Sequence, residues 1–144
     1  MTTLVIGLDG TGSGERALEH GKHLASLIGD CDLVVAYVIE WSPFAFQTQE
    51  ENAKRHMRRE EEISSAQDRL IAPAVKALSD NGFKARGVVR HGDVAETLDA
   101  IAKDENAAQI IVTRSSEGGI STRIFGTSTA NLVMSASVPV TVVA

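Results

Sequence analysis

Short apolar runs alternate along the whole chain with stretches whose apolar residues recur every three to four positions, and this alternation restricts the fold more than any other feature. Leu4 to Leu8 and Leu33 to Ile39 are apolar almost without relief, the pattern of parallel strands covered on both faces. Between them Ser13 is placed to cap a helix that carries Ala17, Leu18, Gly21, Leu24, Ala25 and Ile28, and Gly29-Asp30 stops it. A polar loop around Ser42-Pro43 precedes a long helical stretch from about Glu50 to Leu78, ended by Gly82. Pro73 lies inside it; lacking a backbone N–H, it predicts a kink there. Lys84 to Arg90 reads as a third, weaker strand whose flanking charges suit a sheet edge. Asp93-x-x-Glu96 is a capping box for a helix with Leu98, Ile101 and Ala102 on one face. Ile110 to Thr113 is the fourth strand, Gly126-Thr127-Ser128 leads into a last helix, and Val138 to Val143 closes the chain as a strand. About five strands and four helices in alternation predict a doubly wound open parallel α/β sheet with helices on both faces, in a single domain spanning residues 1–144.

Composition narrows the function classes. The chain has 144 residues and a formal net charge of −5, so it lacks the cationic footprint that nucleic acid or an anionic membrane surface requires. Met1-Thr2-Thr3 runs directly into an apolar stretch too short to span a bilayer, and the expected location is the cytoplasm. The single cysteine, Cys31, agrees with a reducing compartment and reads as a small buried side chain at the start of a strand. The charge run Lys54 to Glu62 reads as a solvated helix face, with Arg58 and Glu62 one turn apart.

The stretch LVIGLDGTGSGERAL, Leu4 to Leu18, looks at first like a dinucleotide-binding turn. The fingerprint fails on spacing, because Glu15 stands where the third glycine belongs. Asp9 at the strand's mouth would repel a pyrophosphate and is better suited to accept hydrogen bonds from a neutral group. In an open parallel sheet the ligand crevice lies beyond the carboxyl ends of the strands, where strand order reverses. Two segments are expected to meet there: Gly7-Leu8-Asp9-Gly10, and Val112 to Ser128, which is rich in hydroxyls and glycines and holds Arg114 and Arg123. A helix starting at Gly126 would aim free N–H groups at a phosphate. Arg114 and Arg123 read mainly as surface charges, His20 and His23 as solvated histidines rather than metal ligands, and His91 as a structural hydrogen-bonding group. Glu40 imitates a ribose-binding acid, without the fingerprint that would support it. A nucleophile elbow and a Walker lysine are both missing, so a nonenzymatic role is expected, with a slow ATPase as the best enzymatic form.

I-G-L-D-G at Ile6 to Gly10, V-I-E after the second strand, H-G-D at His91 to Asp93 and V-P-V-T-V-V at the end together resemble the universal stress protein family over essentially the whole chain. The resemblance implies the strand order 3-2-1-4-5, a regulatory role in stress survival with an unidentified protein partner, and a homodimer formed through the last strand, Val138 to Val143. It also implies ATP, accompanied by Mg²⁺, at the carboxyl ends of the first and fourth strands. The binding residues would be Gly7, Leu8, Asp9, Val38, Val112, Thr113, Ser116, Gly126, Thr127 and Ser128, with Asp9 near the nucleoside and Val38 against adenine. The family's ATP signature, G-x2-G-x9-G-[S/T], is matched at Gly126-Thr127, while its first two glycines fall on Thr113 and Ser116. At a positive φ a β-branched residue costs about 1–3 kcal/mol, so the loop would have to reshape or lose its ligand. That departure favours the alternative, a dimeric interaction protein of the same fold that works without nucleotide.

Overall fold

A computed structural model of the chain describes residues 1–10, 14–40, 49–114 and 120–144. Five parallel strands, β1 (Thr2–Leu8), β2 (Cys31–Glu40), β3 (Lys84–Gly92), β4 (Gln109–Thr113) and β5 (Val140–Val143), form one sheet in the order β3-β2-β1-β4-β5. The helices are α1 (Gly14–Ile28), α2 (Gln49–Ala66), α3 (Ala72–Asp80), α4 (Val94–Asp104) and α5 (Ile120–Ser135). The strands predicted from apolar runs are all present. β3 runs two residues beyond its expected end, and β5 begins at Val140 rather than Val138.

Alternation along β1 divides the core in two. Leu4 and Ile6 point to the face covered by α1 and α3, where they meet Ala17, Ile71 and Leu78. Val5 points to the other face, with Leu98 and Ile101 of α4 and Leu132 of α5. The central strands are buried on both faces, hence their unbroken apolar sequence. Edge strand β3 is fixed differently. Its Arg86 spans Asp32 on β2, at 3.2 Å, and Glu105 just after α4.

The expected kink at Pro73 takes the form of a π-helical turn, Gln67–Ile71, between α2 and α3, in which the Ala72 N–H reaches back to Gln67 O. Widening the turn adjusts the ladder around a residue that cannot donate. Asp93 caps α4 as predicted, accepting from the Glu96 N–H at 3.0 Å. Two expectations are corrected. Glu62 pairs with His91 Nε2 at 2.9 Å, across to β3, rather than with Arg58 along its own helix. And α5 starts at Ile120, so Gly126, Thr127 and Ser128 lie inside it rather than at its N-terminus. An interior glycine costs a helix only about 1 kcal/mol, too little to stop one already under way. The expected cap Ser13, the loop at Ser42-Pro43 and Ser116 lie outside the described residues. Among the described residues no helix is long and apolar enough to cross a membrane.

Candidate functional site

Strand order reverses between β1 and β4, and the carboxyl ends of β1, β2 and β4 meet there. Leu8 is in register with Tyr37, and Ile6 with Ile111, so Asp9 emerges beside the end of β2. After Asp9 the chain turns through Gly10, whose φ of 81° is a conformation that other residues avoid. A Cβ at that point would also press on the Tyr37 hydroxyl at 3.2 Å.

The β1 end opens on a cavity of about 280 Å³ on the α4 side of the sheet. Leu8, Val38, Val94 and Leu98 give it apolar walls, and Asp9 and Glu40 bring carboxylates to it. Tyr37 also borders the cavity while its side chain packs with the α1-face cluster, and its hydroxyl pKa is pushed up by burial first and then by Asp9, Glu40 and Glu62. A narrow cleft continues from this cavity, past Leu98, to Gly7, Val112 and Ser128. Gly7 keeps the cleft passable, because a Cβ there would stand 3.1 Å from both Leu98 Cδ1 and Val112 Cγ1.

The structure therefore gathers Gly7, Leu8, Asp9, Val38, Val112 and Ser128 around one crevice. Gly126 and Thr127 lie in α5, one turn or less before Ser128. Thr113 behaves differently from the expectation. It ends β4 without a positive φ, so the anticipated strain is absent. Its side chain is buried at 1% exposure and its Oγ1 has no hydrogen-bond partner. Alternation along β4 turns it toward the α1 face with Ile111, away from the crevice.

Sequence reasoning missed Val94, Leu98 and Tyr37 as crevice residues. The signal for the first two was the capping box itself, since an N-cap at Asp93 puts Val94 and Leu98 four apart on one helical face. His20 and His23 stand with ring centroids 6.3 Å apart, and among the described residues no group of three or more candidate metal ligands gathers.

An open parallel sheet in the order 3-2-1-4-5, with helices on both faces and a crevice at its switch point, defines the class of doubly wound α/β proteins. The sequence profile of the universal stress protein family matches residues 1–144, and the chain belongs to that family. No curated protein matches the chain at a significant level. Among solved structures it is similar to the universal stress protein UspA from Lactobacillus plantarum, with a TM-score of 0.80, 16% identity, and coverage of 99% of this chain and 97% of that one. It is also similar to a universal stress protein family protein from Arabidopsis thaliana with AMP bound, at TM-score 0.62, 17% identity and coverage of 99% and 91%. A third is the universal stress protein from Archaeoglobus fulgidus in complex with dAMP, at TM-score 0.60, 16% identity and coverage of 100% and 98%. At these identities the likeness establishes the fold.

Proposed function

We propose that the chain is a nonenzymatic regulatory protein that binds an adenine nucleotide, ATP with Mg²⁺, in the crevice at the carboxyl ends of β1 and β4. The observation that carries this reading is the placement of Asp9 and Val38 in one cavity of about 280 Å³ with Leu98 opposite. Apolar walls suit the faces of a purine, and a carboxylate suits its exocyclic amine. Adenine nucleotides bound to two solved structures of the same fold support the choice of ligand. In this reading Gly7 and Val112 border the sugar side, and Gly126, Thr127, Ser128 and Ser116 serve the phosphates. Thr113 acts only through its backbone, because its side chain is buried.

The test is a calorimetric titration with ATP and Mg²⁺, and separately with AMP, beside an Asp9→Ala variant. Saturable binding that the variant weakens tenfold or more is expected, since a hydrogen bond to a charged acceptor contributes about 1.5–3 kcal/mol. Absence of heat at millimolar nucleotide, in protein free of copurified nucleotide, refutes the reading. The second reading, a nucleotide-independent protein that acts as a dimer, is favoured by edge strand β5, where Val142 is 40% exposed. Pairing of two copies through residues 138–143 would cover that edge.

A further inference from the structure

On the opposite face of the sheet from the crevice, α1 and α3 stand side by side without packing closely, and a groove of about 490 Å³ lies between them. That volume falls within the range of small-ligand sites, and interiors otherwise pack without such gaps. Leu18 from α1, with Leu70, Ala74 and Ala77 from the other wall, line it with apolar surface. The small side chains of Ala74 and Ala77, one turn apart, keep it open. Its charged groups are unevenly partnered. Lys22 and Glu19 satisfy each other at 2.8 Å on the α1 wall. Glu15 on α1 and Arg69 on the π-helical turn border the same groove from facing walls, and neither has an ion-pair partner among the described residues.

Pro73 accounts for the π-helical turn, and the turn sets Arg69 and Leu70 side by side at the rim of this groove. Turns of this kind recur where helices present side chains to ligands. One anion and one cation, each without an ion-pair partner among the described residues, thus border a shared apolar floor. A purely anionic or purely cationic amphiphile would satisfy one and be repelled by the other.

We propose that the groove is a second binding site, for a zwitterionic ligand with an apolar body, of the size of a short apolar peptide, its ammonium directed to Glu15 and its carboxylate to Arg69. The apolar side chains lie along Leu18, Leu70, Ala74 and Ala77. The site does not rest on the nucleotide reading: it lies on the other face of the sheet, shares only Leu8 with the crevice, and uses none of the groups assigned to adenine.

The experiment is an NMR titration of the nucleotide-free protein with trileucine, repeated with trileucine amide and with N-acetyl-trileucine. Saturable shifts confined to the amides of Leu18, Leu70, Ala74, Ala77 and their neighbours are expected. Amidation of the peptide and Arg69→Gln should each weaken binding about three- to fivefold, and together no more than either alone. N-acetylation and Glu15→Gln should behave as a second such pair. Ala77→Phe, at an exposed position that folding tolerates, should abolish the shifts by filling the groove. Any one of three results overturns the proposal: no shifts at several millimolar peptide, shifts that survive Ala77→Phe, or losses from amidation and Arg69→Gln that simply add.

Discussion

Substituting Gly87 by alanine tests how the π-helical turn is seated on the sheet. Gly87 lies in edge strand β3 without a positive φ, so its backbone accepts any residue. A Cβ there would overlap Ile71 Cγ2, the branch methyl of the turn's last residue, and would sit 3.5 Å from Val75 Cγ2. Ile71 is 4% exposed and cannot swing outward without leaving the core. Overpacking of this kind costs about 1–3 kcal/mol, and the strand gains back about 0.5–1 kcal/mol from losing a glycine. The net loss is at most about 2.5 kcal/mol, or roughly 10 °C in Tm for a chain of this size. Ile71→Leu removes the branch methyl at nearly constant volume and by itself costs under about 1.5 kcal/mol. In that background Gly87→Ala should stabilise by about 0.5–1 kcal/mol, giving a coupling of about 1–3 kcal/mol in a double-mutant cycle followed by urea unfolding. Additivity within about 0.5 kcal/mol would refute the reasoning, because the cost would then lie in the strand and not in the contact with the turn.

Asp99 on α4 accepts from the Ser137 N–H at 2.9 Å and the Ser137 hydroxyl at 2.8 Å, with Lys103 at 3.4 Å. Burial pushes its pKa up, but these partners outweigh burial and hold it below the usual carboxylate range. A depressed folded pKa gives stability that is full above the unfolded value and lost as pH falls through the folded one. The stability gap between wild type and Asp99→Asn in chemical denaturation should therefore be widest at neutral pH and close below about pH 4; a gap that widens with acid would contradict the assignment. At the other edge of the sheet, Val142→Lys should convert a dimer to a monomer in sedimentation equilibrium, since a lysine on an edge strand blocks pairing. Equal masses for the two proteins would exclude a dimer through β5.

The fold was legible where burial leaves a one-dimensional trace. β1, β2 and β4 are covered on both faces and so carry continuous apolar runs, and Asp93 announces α4 through its cap. The start of α5 was not legible. Gly126-Thr127-Ser128 has the composition of a helix cap, and only the course of the preceding residues shows that the helix is already formed there. Glu62 with His91, and Arg86 with Asp32, were out of reach because the partners are 29 and 54 residues apart. Asp9 was readable as a crevice residue from its place at the end of β1, and Val38 only through the family resemblance. Thr113 occupies a strand end as well, and only the alternation along β4, fixed by its register with β5, turns its hydroxyl away from the crevice.

That alternation also explains how one strand end borders two concavities on opposite faces of the sheet. Leu4 and Ile6 fill the α1 face of the sheet and Val5 the α4 face, and Gly7 continues the second set toward Leu98 and Val112. Leu8 stands at the tip, bordering both the crevice and the α1–α3 groove, while Gly10 and Gly14 border the groove. Asp9 borders the crevice and not the groove, while Glu15 and Arg69 border the groove and not the crevice. Coupling between occupants of the two proposed sites would run through Leu8, at the tip of β1, which borders both. Such coupling is a difference in affinity carried by a shared element with two arrangements, and Leu8 is the side chain common to both walls.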